Sequence, residues 1–182
     1  VIINNNNYKN SIRADGCITK NKNIVLGILT ADCAPIFIFD NKHSFICSLH
    51  AGWRGCYKNI VESAINKIKK FNFTKGNLFA IVGPCLSVNN FEVDKRFKTM
   101  FLNKNKNYNK FFHYKKKNKK IFFDMRGLIN FQLKNCLVSK IENIRLDTYS
   151  NEKLLFSHRK SAHKGNSQTG RMLNLIGFTS ND

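Results

Sequence analysis

The sequence predicts an α+β fold, a single mixed-sheet domain with flanking helices spanning residues 1–182, and three observations predict it. Short apolar runs bounded by turn residues recur through the chain, and several lie close enough to pair as antiparallel neighbours. Ile60, Val61, Ala64, Ile65 and Ile68 fall at helical spacing on one face. The 182 residues are 42% hydrophobic, enough for one sizeable core, and no repeat or linker divides them. Strands and helices alternate, but the antiparallel neighbours favour a mixed sheet over a doubly wound parallel one.

In chain order, residues 1–12 read as a polar strand or arm with an Asn-rich loop. ADGCIT and IVLGILTADC are strand material, and APIFIFD and FICSLH form a hairpin across the turn-like NKHS. AGWRG is a glycine-bounded loop, and CYKNIVESAINKIKKF is the best-defined amphipathic helix. LFAIVGPC is a strand ending in a Gly-Pro turn. Residues 89–102 suit a helix, residues 103–120 a basic loop, and FDMRGLINFQLKNCLV a further amphipathic helix. NIRLDTYS and LLFSHRK frame a last strand and loop before TGRMLNLIGF closes the chain.

Composition narrows the class. No apolar run reaches the ~18 residues of a membrane span, so no membrane partner is expected. The six cysteines contain no CxxC pair, and a chain this apolar needs no disulfide framework, which points to a reducing, cytoplasmic compartment. The first residues lack a basic segment followed by an apolar one, so no secretory leader is read there. The chain begins at Val1 without Met and is expected to be N-terminally incomplete. The formal charge of +20 suits a nucleic-acid binder. However, Lys, Asn, Ile and Phe share AT-rich codons, and Lys is interleaved with Asn through loops. The expectation is a dispersed charge and no specific nucleic-acid partner.

Cys33 and His50 are the chemical pair of interest. If the hairpin turns on Asn41-Lys42, the two face each other across adjacent strands and can reach one ion at ~2.0–2.3 Å. A four-residue turn would instead oppose Cys33 with Gly52 and leave His50 nearby. From spacing alone, the commoner reading of such a pair is a buried thiol and a hydrogen-bonded histidine. Arg54, read as two residues ahead of the helix and flanked by Gly52 and Gly55, suits a phosphate or carboxylate site, or is a surface Arg in a turn. Asp32 either orients a substrate or caps a turn. Ser157, His158, Arg159, Thr169, Gly170 and Arg171 form a polar, basic cluster fit for anion capture. His43, His113 and His163 are placed in loops.

The strings TADCAPIFIFD, SLHAGWRG, IVGPCLSVNNFEV, FSHRK and TGRM occur in this order. The chain thereby resembles, from about Ala14 to Ile176, the YfiH-like family, also labelled laccase-domain, multicopper polyphenol oxidase or peptidoglycan-editing factor. The resemblance implies a mononuclear metal site, usually assigned to zinc, with copper as the other metal. Its cysteine and one histidine match Cys33 and His50, and a third ligand, a histidine, is expected upstream of Val1. It also implies purine nucleosides and phosphate as substrates: phosphorolysis of adenosine, inosine or methylthioadenosine, and deamination of adenosine. Gly52, Arg54, Arg159 and Arg171 are the residues expected at the phosphate. Asp147 stands where the family often has Cys, and His158-Arg159-Lys160 where it often has Tyr-Arg-Arg. Three other readings compete: a Cys-His hydrolase acting on peptidoglycan precursors, with Cys33 as nucleophile and His50 as base; a copper phenol oxidase, which five scattered histidines do not favour; and a basic nucleic-acid binder.

Overall fold

The computed structural model describes residues 1–7, 9, 13–115 and 119–179. Its centre is a five-stranded sheet in the order β1-β4-β3-β5-β9. The strands are β1 (Gly16–Thr19), β3 (Ala34–Asp40), β4 (Ile46–Ala51), β5 (Leu78–Val82) and β9 (Lys140–Asn143). All neighbours are antiparallel except β5 and β9, so the sheet is mixed as expected. Residues 1–3 lie alongside β1 through an Ile2–Ile18 bridge, which makes the N-terminal arm an edge of the sheet.

Alternation along β3 and β4 sorts the two faces. Ile36, Ile38, Cys47 and Leu49 are buried in the core with Val61, Ala64, Ile65 and Ile68 of α2 (Ile60–Lys70). Leu128, Ile129 and Leu133 of α4 (Met125–Asn135) complete this helical layer. Both helices begin where the sequence supplies a cap. Asn59 accepts from Glu62 N and donates back to its carboxylate, and the Asp124 side chain accepts from Gly127 N. The opposite face of the sheet is met by an antiparallel ribbon of β2 (Leu26–Thr30) and β10 (Met172–Ile176), which lies against β4 and β3.

A third sheet, β6-β8-β7, is built from β6 (Glu92–Val93), β7 (Phe112–Lys115) and β8 (Lys120–Phe123). It carries α3 (Lys95–Lys104) and a 3₁₀ helix (Lys106–Phe111) over a cluster of aromatic rings that includes Phe97, Phe101, Phe112 and Phe123. The expected helix over 89–102 is therefore a short strand followed by a helix, with Asp94 capping Phe97 N. The expected basic loop over 103–120 is mostly a 3₁₀ helix and a hairpin; its residues 116–118, like residues 8 and 10–12 of the predicted N-terminal arm, lie outside the described residues. Two further expectations change. AGWRG enters a short helix, α1 (Trp53–Tyr57), and the FSHRK string opens α5 (His158–His163) rather than a loop.

Asp40, at the end of β3, sets the hairpin geometry. It is fully buried, and its carboxylate accepts from Ser44 N at 2.8 Å, Ser44 Oγ, Thr74 Oγ1 at 3.2 Å and Lys75 N at 2.8 Å. Burial works to raise its pKa, but the bonds from Ser44, Lys75 and Thr74 outweigh it and hold the carboxyl below the usual range. A depressed folded pKa gives stability that is complete above ~3.9 and is lost as pH falls through the folded value. Asp40→Asn should therefore cost about 1.5–3 kcal/mol in urea unfolding at pH 7. The gap to the unsubstituted protein should narrow below pH ~4.

Candidate functional site

Cys33 sits one residue ahead of β3, and His50 lies near the end of β4. Pro35 opposes His50 and Ala34 opposes Ala51, so continuing the register places Gly52 opposite Cys33. The contact confirms the placement, because a Cβ at Gly52 would lie 2.7 Å from Cys33 Sγ. The register expected for a turn on Asn41-Lys42 is thus shifted by two residues. The reason is the four-residue connection 41–44, closed by Asp40. Cys33 and His50 share one face of the sheet as diagonal neighbours rather than as a directly opposed pair. Among the described residues, neither Cys33 Sγ nor the His50 imidazole has a hydrogen-bond partner. The His50 main chain is fixed, its N–H donating to Asp15 O at 2.7 Å. Burial, and then the neighbouring Asp32 charge, pushes the Cys33 thiol up to about 11 against the opposing pull of Arg171.

Asp32 has φ +85, a left-handed conformation that turns its side chain inward instead of continuing the strand's alternation. One carboxylate oxygen accepts from Thr148 Oγ1 at 2.6 Å and the other from Arg159 N at 2.6 Å. Its own carbonyl accepts from Leu86 N at 3.0 Å. Asp32 therefore joins the loop before β3 to the segment after β5, the segment after β9 and the first turn of α5. Its carboxylate is spent on this junction.

The three arginines lie in different settings. Arg171 is exposed immediately before β10, whose Met172 pairs with Thr30, and its charge reaches Cys33. Arg54 is inside α1, with its guanidinium 4.1 Å from the Trp53 ring centre. It lines a cavity of about 400 Å³ with Lys58, Lys67 and Asp15. Leu49 and Ile18, which also line that cavity, point to the helical face, away from the face that carries His50. The Arg159 Nη1 donates to Glu92 O at 3.0 Å and Asn90 O at 3.4 Å. The structure brings Cys33, His50 and Gly52 together with the Arg171 charge felt at the thiol, places Arg54 behind the sheet and uses Arg159 as a clamp on the start of β6. His158 is exposed on α5, and the His163 ring lies 3.0 Å from Tyr149 Oη. Among the described residues no three His, Cys, Asp or Glu side chains form a group able to hold a metal ion.

Asp15 escaped the sequence reading, and Asp147 entered it only as a departure from the family's pattern. Asp15 receives the His50 N–H, and its charge is felt at Cys33. Asp147 accepts from Ser87 N at 2.9 Å, Asn90 Nδ2 at 2.5 Å and Ser150 Oγ at 2.7 Å. Burial works to raise its pKa, but these bonds hold the carboxyl below its usual range. Its only sequence signal was its place in the Asp147-Thr148-Tyr149 string. Thr148 is fully buried and serves Asp32.

Two substitutions test this geometry. Gly52→Ala should displace the Cys33 thiol and cost about 1–3 kcal/mol of stability, read as a lowered urea midpoint and a shifted Cys33 environment by NMR. Asp32→Ala should lose about 2–3 kcal/mol and selectively speed hydrogen exchange at the Arg159 amide. An unchanged Arg159 amide would show that α5 is held by other contacts.

Residues 1–179 match the family described as multi-copper polyphenol oxidoreductase laccase. A Rickettsia conorii protein named purine nucleoside phosphorylase is 36% identical over 152 residues, which cover 82% of this chain and 62% of that protein. The Staphylococcus aureus purine nucleoside phosphorylase YlmD is 33% identical over 169 residues, which cover 90% of this chain and 59% of that protein. The chain thus spans about three fifths of these relatives' lengths. Among solved structures, Bacillus licheniformis YfiH superposes with a TM-score of 0.79 at 25% identity, covering 91% of this chain and 61% of that one. Neisseria meningitidis protein NMB0706 shares the fold, with a TM-score of 0.79 at 24% identity, covering 92% and 65%. With the family matched across nearly the whole chain and the fold shared by its solved members, this chain belongs to the multi-copper polyphenol oxidoreductase laccase family.

Proposed function

We propose that this chain carries the metal-binding and phosphate-binding part of a purine nucleoside phosphorylase. The carrying observation is the Cys33–His50 pair, two unpartnered donors on one face of adjacent strands, with Gly52 leaving the space beside the thiol. A thiolate and an imidazole are a donor set that suits zinc, and copper is the alternative metal. The third ligand in this reading is a histidine upstream of Val1. The arm supports it, because Ile18 N donates to Val1 O at 2.9 Å, which puts Val1 beside β1, the strand that begins directly after Asp15.

When bound, zinc supplies Lewis acidity beside the reacting bond. Phosphorolysis requires a phosphate oxygen to attack C1′ of the ribose while the bond from C1′ to the base breaks. The chain's contribution is to hold that phosphate. Arg171 is the first candidate, because it is exposed, next to Cys33 and without a hydrogen-bond or ion-pair partner among the described residues. A guanidinium fork matches a phosphate's oxygens. Arg54 and Arg159 are weaker candidates, because the cavity that Arg54 lines lies on the helical face of the sheet and the Arg159 Nη1 is already committed. Adenosine, inosine and methylthioadenosine are the proposed substrates, with adenosine deamination as a second activity of the same site.

The Cys-His hydrolase reading fares worse. A nucleophilic cysteine needs a lowered pKa and a hydrogen-bonded base. Burial instead pushes Cys33 up to about 11, and no hydrogen bond joins it to His50.

The test measures zinc by mass spectrometry, phosphate-dependent base release from inosine and adenosine, and ammonia release from adenosine. It compares the 182-residue chain with one extended upstream. Cys33→Ala or His50→Ala in the extended protein should abolish stoichiometric zinc and base release. Arg171→Ala should raise the KM for phosphate by roughly tenfold or more with zinc content retained. Full base release by the Cys33→Ala protein would overturn the proposal.

A further inference from the structure

The positive charge is not evenly spread. Residues 95–120 contain eleven Lys and Arg and no Asp or Glu, so one seventh of the chain carries more than half of the formal +20. The described residues of this segment form a lobe of α3, the 3₁₀ helix and the strands β7 and β8. Among its described basic residues only Lys120 is ion-paired, with Glu92 at 2.7 Å. The nearby Asp94 is occupied in capping α3.

The lobe's aromatic rings order part of this charge. Lys110 lies 3.9 Å from the Phe131 ring centre, Lys115 4.2 Å from Phe122 and Lys104 4.7 Å from Tyr57. Their ammonium groups sit over the rings while the residues remain exposed. On the edge strand β7, Tyr114 is 58% exposed between His113 and Lys115, both also exposed. No other large hydrophobic side chain is exposed among the described residues of the lobe. A lipid surface would need apolar anchors that this surface lacks. Cations that track phosphates, with an exposed ring for a base to stack on, are the pattern that holds a single strand.

We propose that this lobe docks single-stranded nucleic acid through its phosphates and a base stacked on Tyr114, without reading sequence. The inference is independent of the nucleoside reading and rests on different residues.

Fluorescence anisotropy of a labelled oligouridylate over a salt series tests it. The lobe variant Lys95→Gln/Arg96→Gln/Lys106→Gln/Lys119→Asn is compared with the variant Lys22→Gln/Lys42→Gln/Lys69→Gln/Lys153→Gln, which removes the same charge elsewhere. All eight residues are exposed, and both variants should melt with the unsubstituted protein. The lobe variant should lose at least roughly tenfold in affinity, and its salt slope should flatten by about 0.7 per phosphate contact removed. The second variant should stay within about twofold. Tyr114→Ala should weaken binding by roughly fivefold or more. Equal weakening by the two charge variants, indifference to Tyr114→Ala, or binding to phosphatidylserine vesicles in place of the oligouridylate would each overturn the proposal.

Discussion

The Asp32 carboxylate is the junction on which the arrangement around the site depends. Its two oxygens hold Thr148 and the Arg159 amide, residues more than a hundred positions away in sequence, at 2.6 Å each. Its carbonyl holds Leu86 N, and its left-handed φ makes this inward turn possible. A buried carboxylate is tolerated only when its acceptor capacity is filled. The segments after β5 and β9 and the start of α5 must therefore converge on the residue beside Cys33. Arg159 extends the junction, because its guanidinium clamps the carbonyls at the start of β6. The candidate site and the aromatic lobe are connected through these two residues.

Asp40, at the other end of β3, acts through register. By bonding Ser44 it closes a four-residue connection, and the closed loop fixes which residues of β4 oppose β3. A shift of two residues preserves the face of every side chain, whereas a shift of one would invert it. Cys33 and His50 therefore remain on a common face although neither opposes the other. The residue that does oppose Cys33 is Gly52, and the absence of a Cβ there leaves the volume beside the thiol. Two buried carboxylates, one at each end of β3, determine where the donors of the site lie.

The arginines divide along the same architecture. Those expected to gather at one anion site are distributed over the ribbon, the helical face and the lobe contact. The Arg171 charge is felt at the thiol because β10 pairs with β2 in a register that places Met172 opposite Thr30. Arg54 leaves the site because the chain turns into α1 directly after Gly52. The relatives named purine nucleoside phosphorylase extend well beyond the stretch matched here.

The sequence by itself determined the α+β class, the hairpin of β3 and β4 and the helices α2 and α4, and it singled out Cys33 with His50 as the pair to weigh. These rest on period and short-range motifs, which are physical properties of neighbouring residues. Tertiary structure decided what depends on long-range partners. Asp32 and Thr148 are ordinary polar residues until the segments before β3 and after β9 bring them within 2.6 Å. Arg159 reads as an anion binder until the carbonyls of Asn90 and Glu92 occupy it. The Lys-rich stretch reads as a basic loop, and its 3₁₀ helix and β7–β8 pairing are held against aromatic residues of α3, β7 and β8 that no local pattern joins. Which side chains share a space is fixed by packing between segments distant in sequence, and no local pattern encodes it.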